Sequence, residues 1–219
     1  MHDYKVIVFD LDGTLLNTSK GIFNSVRYAA QQLGLKQLEE YELKKFVGPP
    51  PTESYRKVYN LSEEQAKQAA SLHRKYGLEK AVYEAEHYDG IQPFLQKLKS
   101  ESKYLAVATL KREDIAKKVL NHFGLGEYFD TIVGIDVGES LTKADTIGIV
   151  KKRLNLSDEP TVLIGDSPYD AVGAQEAGVD FIGVTYGFGF SDENEVAQYP
   201  HVACADSVKQ LAEFFNIKY

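Results

Sequence analysis

Two short acidic runs, each directly after a hydrophobic stretch, hold the residues best suited to chemistry. The first is Asp10-Leu11-Asp12-Gly13-Thr14, after Val6-Ile7-Val8-Phe9. The second is Gly165-Asp166-Ser167-Pro168-Tyr169-Asp170, after Val162-Leu163-Ile164. Carboxylates at the ends of buried strands are costly unless their charge is compensated. A hard divalent cation is the simplest compensator for four converging carboxylates, and Mg²⁺, with its all-oxygen octahedral shell, suits Asp10, Asp12, Asp166 and Asp170. Asp170 stands one helical turn beyond Asp166, which suits a further ligand or an orienter of metal-bound water.

A carboxylate beside such an ion can attack phosphorus and form an aspartyl-phosphate. A second carboxylate two residues on can protonate the leaving oxygen and then deprotonate the attacking water. Asp10 and Asp12 have that spacing. Gly13 lets the backbone turn tightly, so that amides of the Leu11–Gly13 turn can face phosphoryl oxygens. Lys143 opens a helix after a loop and can neutralise phosphoryl charge or hold the nucleophile. Thr109 ends a strand and can donate a hydroxyl hydrogen bond, with the Leu110 amide beside it.

Each signal has a plainer reading. Asp-x-Asp-Gly-Thr alone is a turn after a strand, and Asp166 or Ser167 alone is a helix N-cap. Thr109 is an ordinary strand residue, and Lys143 alone reads as a solvated surface lysine. The case rests on their combination. Arg56, with Tyr55 and Lys57, follows Gly48-Pro49-Pro50-Pro51 and could reach substrate; the plainer reading is an exposed helix face. Tyr76, Tyr83 and Tyr88 are expected to pack the helical block or its hinge. His73, His87, His122 and His201 show no ligand spacing. Gly187-Phe188-Gly189 reads as a flexible rim. Cys204, the single cysteine, reads as a buried small hydrophobe and excludes an intramolecular disulfide or a cysteine-based zinc site.

The elements that must position these residues are short apolar runs at Tyr4–Phe9, Tyr104–Thr109, Thr131–Ile135, Val162–Gly165 and Phe181–Thr185, the pattern of strands covered on both faces. Amphipathic helices alternate with them at Ile91–Lys99, Glu113–Phe123, Ala144–Leu154, Tyr169–Ala177 and Ser207–Phe215. This alternation predicts an α/β fold, a doubly wound parallel sheet, whose ligands bind beyond the strands' carboxyl ends. From about Thr18 to about Tyr88 there is no convincing strand, only helical patterns: one face of Ile22, Val26, Ala29 and Leu33, then Tyr41–Phe46, Thr52–Tyr59 and Glu63–Tyr76. The expected division is an α/β core of residues 1–16 and 89–219 and an all-helical cap of residues 17–88.

The 219 residues suffice for one such domain and a small insertion. A net charge of −7 disfavours a nucleic-acid polymer as partner. The N-terminus shows no signal-peptide pattern, and no apolar run approaches a membrane span, so a cytoplasmic protein without a membrane partner is expected. Monomer and homodimer remain open.

Asp10-Leu-Asp-Gly-Thr14, Thr109, Lys143 and Gly165-Asp-x-x-x-Asp170 resemble, in order and spacing, the four motifs of the haloacid dehalogenase-like superfamily. The resemblance covers essentially the whole chain and looks closest to its phosphoglycolate phosphatase-like branch, whose substrate-facing loop Phe46-Val47-Gly48-Pro49-Pro50 resembles. It implies a Rossmann-like core and a Mg²⁺-dependent phosphatase acting on a small phosphorylated metabolite. Asp10 would be the nucleophile and Asp12 the general acid/base. Mg²⁺ would bind the Asp10 carboxylate, the Asp12 backbone carbonyl and Asp166, with Asp170 supporting the shell. Thr109 and Lys143 would bind the phosphoryl group. Leu110 departs from the Ser or Asn common after the motif's threonine, which leaves only backbone contacts there. The rival expectations are a phosphotransferase such as a sugar-phosphate mutase, which would share every core residue, a metal-independent dehalogenase, which would not need Asp12 or Asp166, and a non-catalytic binding module.

Overall fold

Val6, Ile7, Val8 and Phe9 are fully buried, and their side chains divide between two apolar cores, one on each face of a sheet. They form β1 (Val6–Phe9). The computed structural model describes residues 4–217. After β1 the chain passes through the two-residue β2 (Leu16–Asn17) into four helices: α1 (Ser19–Leu33), α2 (Glu40–Leu43), α3 (Pro51–Tyr59) and α4 (Glu63–Glu79). It returns through β3 (Glu86–His87), which pairs antiparallel with β2. The helices share an apolar core of their own, with Ile22, Phe23, Val26, Phe46, Tyr55 and Ala69 buried in it.

The rest alternates regularly: α5 (Ile91–Ser100), β4 (Tyr104–Arg112), α6 (Glu113–His122), β5 (Thr131–Ile135), α7 (Lys143–Leu154), β6 (Thr161–Gly165), α8 (Pro168–Ala177), β7 (Asp180–Val184), α9 (Glu193–Val196), β8 (Ala203–Ala205) and α10 (Val208–Phe214). Six strands pair in parallel in the order β5-β4-β1-β6-β7-β8. This is a doubly wound α/β sheet with a helical cap. The strand order reverses beside β1, the place where such sheets open a ligand crevice.

Local chemistry sets the boundaries. Ser62 and Thr142 cap α4 and α7, each accepting a backbone N–H three residues on. Gly34 and Gly178 end α1 and α8 in the left-handed conformation. Ser207 caps α10.

Several elements differ from the expectations. β3 lies in the stretch read as strandless, because a two-residue strand carries no periodicity. β4 continues past Thr109 to Arg112, with a register shift against β5 between Ala108 and Arg112. The Tyr41–Phe46 stretch divides into α2 and a 3₁₀ turn at Lys44–Phe46. α4 runs past Tyr76 to Glu79, and α7 begins one residue earlier than expected, at Lys143 itself. β8 is too short to show in the pattern, and α9 is both too short and too polar. Cys204, on β8, is half-buried rather than buried.

Candidate functional site

β1 and β6 are neighbours in register, with Phe9 opposite Ile164, so Asp10 and Asp166 leave the sheet side by side. The Asp10 amide donates to the Ile164 carbonyl at 2.9 Å. α8 then carries Asp170 back over the same point. One carboxylate oxygen from each of Asp10, Asp166 and Asp170 lies within 4.8 Å of the others, and all three residues are buried. Lys143, at the start of α7, reaches into this cluster. Its Nζ lies 2.6 Å from Asp10 Oδ1 and 2.6 Å from Asp170 Oδ1.

Each carboxylate has further partners. Asp170 Oδ2 accepts from the Ser167 amide at 3.0 Å and the Ser167 hydroxyl at 2.6 Å. Asp166 Oδ2 accepts from the amides of Phe188 at 2.7 Å and Gly189 at 3.2 Å. Gly187-Phe188-Gly189 is therefore not a loose rim: it wraps Asp166, which the sequence reading missed because backbone donors leave no trace in residue type. Gly13, at φ +84°, packs from the other side, and a Cβ there would stand 2.2 Å from Asp166 Oδ2. Only glycine allows both that backbone angle and that approach.

Three carboxylates and one ammonium leave the cluster two positive charges short of neutrality. Burial pushes the Asp10 carboxyl up to about 7; Lys143 opposes this, and Asp170 and Asp12 add to it. Burial also raises the Asp166 carboxyl well above the usual range, with Asp170 and Asp10 reinforcing it and the two amides resisting. Burial works against the Lys143 ammonium, yet the adjoining carboxylates of Asp10 and Asp170 outweigh it and raise its pKa. An all-oxygen donor set with this deficit fits a hard divalent cation such as Mg²⁺, and the grouping contains no imidazole or thiolate that would favour a softer metal.

Asp12 is buried but turned away from the cluster. Its Oδ2 meets Lys111 Nζ at 2.8 Å, and its Oδ1 accepts a short hydrogen bond from the Thr18 hydroxyl. Both partners, with Asp12, line a cavity of about 770 Å³, open mouth included, between the helical cap and the ends of β4 and β5. Phe46, Gly48, Pro49, His73, Arg74 and Leu110 also line it. Two neighbouring aspartates thus face different ways: Asp10 toward the carboxylate cluster, Asp12 toward the cavity.

Thr109 is buried at the end of the regular part of β4, and its hydroxyl accepts from the Lys111 amide at 3.2 Å. Arg56 is not brought to the cavity. α3 turns Ser54 and Tyr55 inward, and the Arg56 guanidinium lies outside, 3.4 Å from Glu63. The basic residues that do line the cavity are His73, Arg74, Lys111 and Arg112. Burial, with Lys111 and Arg74 nearby, pushes the His73 pKa down to about 3, so its ring is neutral. Lys111 was findable, since it stands two residues past Thr109 on an extended segment. Arg74 was not: nothing in the cap helix pattern separates it from the solvated bases around it. Tyr88 and Tyr76 pack as expected, against Tyr186 and Tyr28, while Tyr83 is exposed but meets His122 edge-on.

A crevice at the topological switch of a parallel sheet, lined by paired acids and covered by a helical cap, defines a hydrolase of the capped α/β class. Residues 7–184 match the family model of the haloacid dehalogenase-like hydrolases. The chain is 34% identical over 213 residues to a 5'-nucleotidase of Pseudomonas aeruginosa, covering 96% of each chain. It is 33% identical over 177 residues to a phosphoglycolate phosphatase of Aquifex aeolicus, covering 80% of this chain and 81% of that one. The crystal structure of a predicted phosphatase from Clostridium acetobutylicum superposes with a TM-score of 0.90 at 38% identity, covering 97% of this chain and 98% of that one. The chain belongs to the haloacid dehalogenase-like hydrolase family. No helix among the described residues is long and apolar enough to cross a membrane.

Proposed function

We propose that this protein is a Mg²⁺-dependent phosphatase that removes the phosphoryl group from a small phosphate monoester through an aspartyl-phosphate on Asp10. The observation that carries this reading is the division of labour between Asp10 and Asp12. Asp10 sits in a buried cluster with Lys143, Asp166 and Asp170, while Asp12 points into the adjoining cavity. The relatives named 5'-nucleotidase and phosphoglycolate phosphatase support the reading, since both names denote phosphate removal from small esters.

An Asp10 carboxylate oxygen attacks phosphorus, and the bond from phosphorus to the substrate oxygen breaks. Asp12 gives its proton to that leaving oxygen. The anionic Asp12 then takes a proton from water, which attacks the phosphorus of the aspartyl-phosphate and releases inorganic phosphate and free Asp10. Lys143 holds Asp10 in place and offsets phosphoryl charge; Thr109 and the amides of Leu11 and Leu110 provide further donors for the phosphoryl oxygens, while the Gly13 amide is spent on the Leu16 carbonyl at 2.9 Å. Asp10, Asp166, Asp170 and the Asp12 backbone carbonyl would hold Mg²⁺, which when bound neutralises charge on the phosphoryl group. The cap excludes bulk water from the site.

The test is phosphate release over a panel of sugar phosphates, nucleoside monophosphates, phosphoglycolate and pyrophosphate, with MgCl₂ or with EDTA. Release that requires Mg²⁺ and is abolished in Asp10→Asn is expected. An isomerised sugar phosphate without phosphate release would instead make the protein a phosphotransferase.

A further inference from the structure

The cavity contains an ion pair that the proposed chemistry does not use. Arg74, on α4 of the cap, meets Glu139, in the loop between β5 and α7. Both side chains are largely shielded, 16% and 10% exposed, and both line the cavity. Thr52 Oγ1 accepts a longer contact from Arg74 at 3.5 Å. Glu139 has φ +54°, in the left-handed region that side-chain-bearing residues seldom adopt. Asp136 pins the loop in this shape, its carboxylate accepting from the Gly138 amide at 3.3 Å, the Ser140 amide at 2.9 Å and the Ser140 hydroxyl at 3.1 Å. The loop is thus built to present a carboxylate to Arg74.

The same holds around the cavity. Lys111 is met by Asp12, and Arg112 by Asp114 at 2.5 and 2.6 Å. Asp114 is more than half exposed, whereas Asp12 and Glu139 lie within the cavity wall. A guanidinium is a planar fork that binds a carboxylate or a phosphate in the same way. A cation wall already satisfied by internal carboxylates is available to an anionic ligand only by exchange.

We infer that Glu139 stands where part of the substrate binds. Arg74 is the subsite for a second oxyanion, carboxylate or phosphate, carried by the substrate away from the phosphoryl group that is removed, and Glu139 competes with it for the guanidinium. The substrate class is therefore a phosphate ester with a second anionic group. The inference deepens the phosphatase reading and rests on it for the identity of the transferred group, but not for the pairing.

The experiment compares two unhydrolysable probes by calorimetry on the full chain with MgCl₂. Phosphonoacetate carries a second oxyanion, and methylphosphonate does not. Wild type should prefer phosphonoacetate by about tenfold, the lower end for a hydrogen bond to a charged group. Arg74→Gln should erase that preference. Glu139→Gln, which removes the competitor, should enlarge it by about threefold or more, a readout that survives if the Arg74 variant fails to fold. A wild type that binds phosphonoacetate no better than methylphosphonate, or not at all, overturns the inference. So does a pair of variants that weaken both probes equally, which would make the ion pair a strut between cap and sheet. Hydrolysis of p-nitrophenyl phosphate by wild type is measured separately: its absence would sink the phosphatase reading while the binding comparison still decides the subsite.

Discussion

Replacing Asp10 by asparagine should make the metal-free protein more stable while it destroys turnover. Burial raises the Asp10 carboxyl from 3.8 to about 7 even with Lys143 beside it. The native state therefore binds a proton more tightly than the unfolded chain does. Stability attached to this group is fully present below about pH 3.8 and is lost as pH rises through about 7. Each pKa unit is about 1.4 kcal/mol, so the shift corresponds to roughly 4 kcal/mol at pH 8. Asparagine has the shape of the protonated acid and carries none of that cost.

The assay is urea denaturation in EDTA at several pH values. At pH 8, Asp10→Asn should exceed wild type by an amount on the order of 4 kcal/mol. The advantage should shrink steadily toward pH 4. Saturating MgCl₂ should narrow it at pH 8, because the ion binds the native wild type and stabilises it by about 2.7 kcal/mol at one hundred times its dissociation constant. Equal stability of the two proteins in EDTA at pH 8 would refute the reasoning, since the carboxylate would then carry no uncompensated charge.

Three further outcomes follow from the same geometry. Lys143→Met leaves Asp10, Asp166 and Asp170 without their cation, and breaking a buried pair costs about 3–5 kcal/mol; melting in EDTA at pH 8 should show that loss, with MgCl₂ restoring part of it, and an unchanged midpoint would contradict the cluster. Gly13→Ala places a Cβ against Asp166, 2.2 Å from its Oδ2, and should raise the Mg²⁺ concentration for half-maximal phosphate release by about 10–100-fold; an unshifted Mg²⁺ titration would mean that Asp166 is not held as described. Asp12→Asn should cut turnover by about 10²–10⁴-fold with only a small change in that Mg²⁺ titration, because its side chain faces Lys111 and Thr18; a large loss of Mg²⁺ dependence would instead place the Asp12 side chain at the metal.

What the sequence made legible was whatever rests on residue type at strand ends. β1 and β6 announce themselves as unbroken apolar runs, each stops at an aspartate, and parallel pairing of adjacent strands brings Asp10 and Asp166 together. Lys143 gained meaning only from its place in the pattern with Asp10, Thr109 and Asp166. What stayed hidden rests on backbone atoms or on tertiary placement. The amides of Phe188 and Gly189 act through N–H groups that every residue but proline has. β3 is held by two residues of pairing. Arg56 and Arg74 both sit on cap helices, and only packing decides between them: α3 buries Tyr55 against Phe46 and turns Arg56 out, while α4 places Arg74 over the cavity.

That difference bears on how one fold separates chemistry from selection. The carboxylate cluster is assembled by the sheet, whose register is fixed by fully buried residues on both faces, so its geometry is over-determined. The cavity wall is assembled from a cap helix that packs in the cap's own core through Ala66, Ala69 and Ala70, an irregular end of β4 and a loop with one residue in the left-handed region. On the proposed chemistry, substitutions at Asp10, Lys143 or Asp166 should act on whether phosphate is removed. Substitutions at Arg74 or Glu139, which lie outside the sheet, should act on which ester presents it and be better tolerated, whereas Lys111, on β4 and paired with Asp12, belongs to both. A survey of variants should therefore find stability and activity coupled at the cluster and uncoupled at the cavity wall.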